Sequence, residues 1–319
     1  MSYTLKLFSG TANPDLSEQV SKQLGISVST MGITRFVDGE VGVQILENVR
    51  GCDIFIVQST CTPVNDNLME LALITDAMRR ASAKRITAVI PYYGYARQDR
   101  KTKPRVPISA ALVARLVESA GCDRVLSIDL HCGQIQGFFK IPVDNLMAKP
   151  VLVQEIMSRL RDLENVCIVS PDAGGAERAD SFRHDFNRSF DYNAGMAVMN
   201  KKRVEANKIE RMELVGNVQG CDCIIVDDMI DTAGTLCTAA KVLMENGAKR
   251  VFACATHALL NGRGVKNIEE SVIEKVIVTN TVPQNKDKTH EKIIYVSVAR
   301  ILSEAIRRVH NEESISILF

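Results

Sequence analysis

A long motif occurs twice in this chain, and that repetition limits the possible folds more than any other feature. Asn48-Val-Arg-Gly-Cys-Asp-Ile-Phe-Ile-Val57 returns as Asn217-Val-Gln-Gly-Cys-Asp-Cys-Ile-Ile-Val226. After a helix-like segment in each case, Ala83-Lys-Arg-Ile86 returns as Ala248-Lys-Arg-Val251. Copies about half a chain apart are far too widely spaced for a solenoid, so they imply two similarly folded halves. Each half reads strand, helix, strand, the pattern of a mainly parallel sheet flanked by helices. At 319 residues the chain is long enough for each half to bury its own core. The boundary falls between Asp144 and Pro150, where Pro142 and Pro150 punctuate the sequence, giving domains 1–147 and 148–319.

The stretch running on from the second copy, Val226-Asp-Asp-Met-Ile-Asp-Thr-Ala-Gly-Thr235, has the pattern of a buried strand delivering a loop to a helix start. Parallel sheets bind ligands at the carboxyl ends of their strands. Asp227 and Asp228 stand there, and alternation lets one face a ligand while the other faces the scaffold. Asp231, Thr232, Ala233, Gly234 and Thr235 can offer N–H groups and hydroxyls to a phosphate, with a helix dipole behind them. Carboxylates suit sugar diols, so the ligand is a phosphorylated sugar; the competing reading is an acidic strand end before an ordinary helix. The first copy leads instead into Gln58 and Ser59-Thr-Cys-Thr-Pro-Val-Asn-Asp-Asn67, without paired acids. There the site has decayed or changed its use.

Other segments carry weaker signals. Asp38-Gly39 between alternating runs predicts a hairpin whose tip is flanked by Phe36 and Glu40 and could receive a flat purine. Tyr92 to Pro107 holds five basic residues after a buried strand and reads as a mobile cationic lid rather than a packed element, able to close over a polyphosphate between Arg97 and Arg105. Asp129 and His131 are expected on one side of the strand Arg124 to Leu130, where they could hold a divalent cation. Asp172 precedes Gly174-Gly175 at another strand end and suits a metal or a sugar hydroxyl. Lys201-Lys-Arg203 reads, taken alone, as a solvated charge run.

Composition removes several classes. Hydrophobic content of 46% and net charge +1 call for neither nucleic acid nor a membrane surface. There is no basic, apolar leader and no run near ~18 apolar residues, so a cytoplasmic protein is expected. The nine cysteines include no CxxC pair and are expected to be buried, reduced thiols. GxxxxGK[ST] is absent, as is GxGxxG after a strand, which speaks against a P-loop nucleotidase and the usual dinucleotide fold. No Ser/His/Asp or Cys/His order stands out.

Taken together, Arg35-Phe-Val-Asp-Gly-Glu40, Asn65-Asp-Asn-Leu-Met-Glu-Leu71, Tyr95-Ala-Arg-Gln-Asp99, Asp129-Leu-His131, Gln134-Ile-Gln-Gly-Phe-Phe139, Ser170-Pro-Asp-Ala-Gly-Gly175 and the loop ending at Thr235 make the chain resemble the class I ribose-phosphate pyrophosphokinases. The resemblance extends from Lys6 to Phe319. It implies two phosphoribosyltransferase-like domains and transfer of the β,γ-diphosphoryl group of MgATP to the C1 hydroxyl of ribose 5-phosphate, giving phosphoribosyl pyrophosphate (PRPP) and AMP. By resemblance, Phe36, Asp38, Gly39 and Glu40 contact adenine from a neighbouring subunit, and Arg97, Gln98, Asp99 and His131 hold ATP. His131 and Asp172 engage Mg2+, with Asp129 a further candidate ligand. Asp172, Asp227 and Asp228 bind the ribose, and Asp231 to Thr235 cradle its 5-phosphate. Lys201 and Arg203 match the family's catalytic pair on a flap.

The resemblance also implies dimers assembling into hexamers, phosphate activation and ADP inhibition. The chain departs from the family at Val37, where serine is usual, and at Asn48, where some phosphate-regulated members carry serine near Arg50. Ala233 stands where glycine or cysteine also occurs, and alanine is compatible there if the residue avoids positive φ. Two other readings compete: a phosphoribosyltransferase, which lacks the hairpin, lid and duplicated half, and a non-catalytic regulatory subunit, which carries changes near the catalytic loop not seen at Lys201 and Arg203.

Overall fold

The computed structural model describes residues 3–160, 162–202 and 211–318. Two units emerge, one comprising residues 1–147, 281–283 and 297–319, the other 148–280 and 284–296. In the first, β1 (Leu5–Ser9), α1 (Pro14–Leu24) and a hairpin of β2 (Met31–Arg35) and β3 (Val41–Ile45) precede β4 (Asp53–Val57). Then come α2 (Val64–Arg80), β5 (Arg85–Ile90), α3 (Ser109–Ser119), β6 (Arg124–Ile128) and β7 (Val143–Leu146). The second holds α4 (Lys149–Arg159), β8 (Cys167–Ser170), α5 (Ala176–Phe190), β9 (Gly195–Lys202), β10 (Arg211–Val215) and β11 (Asp222–Ile230). It continues with α6 (Gly234–Glu245), β12 (Arg250–Ala258), α7 (Gly264–Glu270), β13 (Val276–Thr279) and β14 (Ile293–Val296), before α8 (Ala299–His310).

The duplication is visible in the strand order. The first sheet runs β1-β4-β5-β6-β7, all parallel, and the second contains β8-β11-β12-β13-β14 in the corresponding order, also parallel. The halves differ in the excursion after the first helix. In the second, β9 joins β8 in parallel and β10 extends the edge antiparallel; in the first, β2 and β3 form a separate ribbon. Each unit buries its own apolar cluster, around Phe8, Ile54 and Ile86 in one and Val169, Ile225 and Val251 in the other.

The repeated motif has a structural role. Asp53, 1% exposed, accepts from Arg85 Nε at 2.8 Å, and Asp222, fully buried, accepts from Arg250 Nε at 2.9 Å. Arg85 then donates to the Val309 carbonyl in the last turn of α8 (2.9 Å), and Arg250 to that of Asp162, just past α4 (2.8 Å). His310 Nδ1 also lies 2.8 Å from Asp53 Oδ2. Within the units, α4 packs on α5 and α8 packs on the equivalent α1. The duplicated halves have thus exchanged their closing helices. This is where the partition departs from the expected 1–147 and 148–319: residues 297–319 lie with the first unit because Asp53 and Arg85 bind there.

Local chemistry explains most boundaries. Asn13 caps α1 by accepting from the Leu16 N–H, Pro14 opens the helix and Gly25 (φ 71°) ends it. The short strands β7 and β10 and the two-turn α7 have no counterpart in the sequence expectations. The chain also leaves β6 at Ile128, earlier than the expected Leu130, because Asp129 adopts φ 42°.

Candidate active site

The second unit gathers the acids and the loop. Strand β11 runs straight through Asp227 and Asp228, and alternation leaves the Asp227 side chain 30% exposed while that of Asp228 is 4% exposed. Arg178, projecting from α5, places Nη1 3.1 Å from Asp227 Oδ1 and 3.3 Å from Asp228 Oδ1. Burial, and then the neighbouring Asp228 carboxylate, push the Asp227 acid well above the usual carboxylate range, while Arg178 pulls it back. In an NMR titration of the ligand-free protein, the Asp227 carboxyl should therefore take up a proton well above pH ~4. Arg178→Gln should raise that midpoint further. A midpoint near 4 in both proteins would refute this account.

Beyond β11, Asp231 to Thr235 wraps the start of α6. Thr232, Gly234 and Thr235 are exposed, as an open anion cradle requires. Ala233 has φ 59° and ψ 4°, so the condition under which alanine is unstrained here is not met. An alanine held there costs about 1–2 kcal/mol, which the surrounding structure must impose. The bracing comes from the segment after β12. Asn261 Nδ2 donates to Asp231 Oδ1 (2.9 Å), Asn267 Nδ2 donates to the Thr232 carbonyl (2.8 Å), and a Cβ on Gly264 would stand 2.7 Å from the Asp231 carbonyl oxygen. Asp172 Oδ1 accepts from the Gly175 N–H at 2.9 Å, closing the turn after β8. A Cβ at Gly175 would lie 2.9 Å from the Ser170 hydroxyl oxygen, so glycine lets the turn close against the end of β8.

The first unit carries the other candidates. At the hairpin tip the Phe36 N–H donates to the Glu40 carbonyl (2.9 Å) and the Gly39 N–H to the Phe36 carbonyl (3.0 Å), so Phe36 and Glu40 flank a tight turn as expected. Gly39 (φ 92°) supplies the positive φ that such a turn uses. Phe36 is 56% exposed, and its ring lies over Gly42, where a Cβ would come within 3.0 Å of it. Asp38 Oδ1 accepts from the Glu40 N–H.

Only part of the expected lid is open. Tyr92, Tyr93 and Ala96 are buried, Tyr93 donates to the Ala110 carbonyl (2.9 Å) and a Cβ on Gly94 would sit 2.5 Å from the Thr60 carbonyl oxygen. From Arg97 to Arg105 the residues are exposed apart from the half-buried Asp99. Gln98 accepts from the Ser109 hydroxyl, and Asp99 Oδ2 accepts from the Cys132 thiol at 3.2 Å. Burial and Asp99 together push that thiol up to about 11, so it stays protonated and donates. His131 and Asp129 are half-buried on the turn after β6; neither lies on a strand, so alternation does not place them on one side.

Lys201 belongs to β9, in register with Met212 of β10, whereas Arg203 lies outside the described residues. Among the described residues no three His, Cys, Asp or Glu side chains cluster in a way that could hold a metal ion. All nine cysteines are unbridged, six of them buried. No helix among the described residues is long and apolar enough to cross a membrane.

A duplicated parallel sheet with paired carboxylates and a braced loop at a helix start defines an α/β protein with a candidate phosphate-binding site at the strand ends. Residues 5–121 match the family model of the N-terminal domain of ribose phosphate pyrophosphokinase, and residues 188–319 that of the phosphoribosyl synthetase-associated domain. The chain is 53% identical to the ribose-phosphate pyrophosphokinase of Vibrio parahaemolyticus and 52% identical to that of Haemophilus influenzae, over 99% of both chains in each case. The crystal structure of phosphoribosylpyrophosphate synthetase from Mycobacterium smegmatis superposes with a TM-score of 0.91 at 41% identity, covering 97% of this chain and 99% of that one. The chain belongs to the ribose-phosphate pyrophosphokinase family and is an enzyme of PRPP synthesis.

Proposed function

We propose that the chain transfers the β,γ-diphosphoryl group of MgATP to the C1 hydroxyl of ribose 5-phosphate, releasing AMP and PRPP. The observation that carries this reading is the end of β11, where Asp227 and Asp228 stand just before a loop whose Thr232, Gly234 and Thr235 are exposed. The cradle takes the 5-phosphate through Asp231, Thr232, Ala233, Gly234 and Thr235, and Asp227, Asp228 and Asp172 hold the ribose hydroxyls. Fixing both ends of the sugar orients its C1 hydroxyl for attack. In the first unit Phe36, Asp38, Gly39 and Glu40 receive adenine, the hairpin serving a neighbouring copy. Arg97, Gln98, Asp99 and His131 hold the rest of the nucleotide. Lys201 and Arg203 stabilise charge on the transferred group.

Magnesium fits the residues present: Asp172 spends one oxygen on Gly175, and its other oxygen has no hydrogen-bond partner among the described residues. The resemblance assigns Mg2+ to Asp172 in the second unit and to His131 and Asp129 in the first, each the kind of single ligand that serves an ion completing its shell with substrate phosphates. When bound, it supplies neutralisation of the polyphosphate oxygens.

The enzyme works in the cytoplasm as dimers assembling into hexamers, activated by phosphate and inhibited by ADP. Purified protein given ATP, ribose 5-phosphate and Mg2+ should release AMP in step with PRPP. Absence of AMP across a phosphate titration would overturn this reading in favour of a regulatory subunit.

A further inference from the structure

The first unit has a buried cluster at the positions that correspond to the proposed sugar-phosphate site of the second. Gln58 follows the first copy of the repeat as Asp227 follows the second. Counting fifteen residues back from the paired arginines, Arg85 and Arg250, reaches Glu70 in α2 and Thr235 at the phosphate cradle. The loop after β1 corresponds to the Asp172 turn after β8. In the first unit all three places converge on one fully buried carboxylate. Glu70 accepts from the Thr11 N–H (2.7 Å), the Thr11 hydroxyl (2.7 Å) and Gln58 Nε2 (2.8 Å).

A backbone N–H, a hydroxyl and an amide are the donors that would meet an anionic ligand; here they meet a side chain. The fourth donor comes from outside the ancestral site. Arg35 Nη2, at the end of β2, lies 3.2 Å from Glu70 Oε2, and Arg35 Nη1 lies 3.8 Å from Asp66 Oδ2, one turn earlier on α2. Arg35 immediately precedes Phe36, so the buried carboxylate grips the hairpin beside its tip.

We propose that Glu70 replaces the lost ligand of the first unit and acts, through Arg35, as the positioning residue for the β2–β3 hairpin. This rests on the reading above that the hairpin receives the adenine of ATP. A desolvated carboxylate with four donors is rigid, and a guanidinium held by it transmits that rigidity to the tip. The segment Asn65 to Leu71 thereby gains a role: it is the inner wall against which the nucleotide hairpin is set.

The test uses the full chain and three variants, Arg35→Ala, Glu70→Gln and the double substitution. Losing a charge-assisted hydrogen bond corresponds to about tenfold. Arg35→Ala and Glu70→Gln should each raise KM for ATP about tenfold and leave KM for ribose 5-phosphate within about twofold. The double variant should be no worse than the poorer single one, since both cut the same link. In ligand-free Arg35→Ala, whose altered side chain is 41% exposed and so tolerates change, the amides of residues 36–40 should exchange hydrogen about tenfold faster than in the parent.

Unchanged exchange there would overturn the proposal, and does so even if Glu70→Gln fails to fold. A rise in KM for ATP confined to Arg35→Ala would also overturn it, showing that Arg35 touches the nucleotide itself. A parent enzyme that makes no AMP would defeat the functional reading while leaving the exchange result to decide whether Arg35 anchors the hairpin.

Discussion

Lys201→Ala should lower kcat by about 10²–10³-fold while leaving the affinity for ribose 5-phosphate within about twofold. The expected loss follows from the chemistry. Diphosphoryl transfer offers the protein little covalent work; it must neutralise charge that grows on the moving group, and one donor aimed there is worth about 2.7–4 kcal/mol. The strand that delivers Lys201 is well anchored. Met199, two residues earlier, is fully buried, and β9 pairs with β8 over Gly195–Val198 and with β10 over Val198–Lys202. The sugar's proposed contacts lie elsewhere, on β11 and its loop. Equal losses in turnover and in ribose 5-phosphate affinity, read by steady-state kinetics and direct binding, would remove Lys201 from the transition state.

The second large effect concerns folding. Asp222→Ala should destabilise the second unit by about 3–5 kcal/mol, measured by urea unfolding followed by circular dichroism. Asp222 is fully buried and accepts from Arg250 Nε (2.9 Å), Arg250 Nη2 (2.6 Å) and the Glu164 N–H (2.7 Å). Alanine leaves a guanidinium and an N–H without their acceptor, and breaking a buried pair on one side is costly for that reason. Asp53→Ala should act comparably on the first unit, where it frees Arg85 and His310. A change below about 1 kcal/mol in both would show that these pairs are not what closes the units.

Those two aspartates also show what could be read in advance. Asp53 and Asp222 belong to the repeat that revealed the duplication, because two copies of a strand-forming run are legible as pattern. Why the acids recur was not legible, since their partners Arg85 and Arg250 lie a whole helix downstream and the helix ends they hold lie farther still. The paired acids and the phosphate-type loop were readable because their chemistry is contiguous. Arg178, Asn261 and Asn267 were not: each reaches the site from another element, and only the parallel pairing of β8, β11 and β12 brings those elements together. Alternation succeeded at Asp227 and Asp228, where the strand continues, and failed at Asp129 and His131, where the backbone turns into the left-handed region. At Ala233 residue preference pointed away from positive φ, and the braces around the loop prevail over it. The packed part of the basic segment is not legible in the sequence because tyrosines there can pack as readily as they can be exposed, and Tyr92 and Tyr93 do pack.

The exchanged helices bear on how the protein is made. A ribosome completes β1 to β7 by residue 146, yet the helix that seats on α1, and the carbonyl that Arg85 grips, belong to residues 299–310. The half synthesised first is thus the last to be sealed. Until residues 299–310 emerge, α1 keeps an apolar flank uncovered and Asp53 waits without His310, while the half synthesised second can close around α4 as soon as β14 is out.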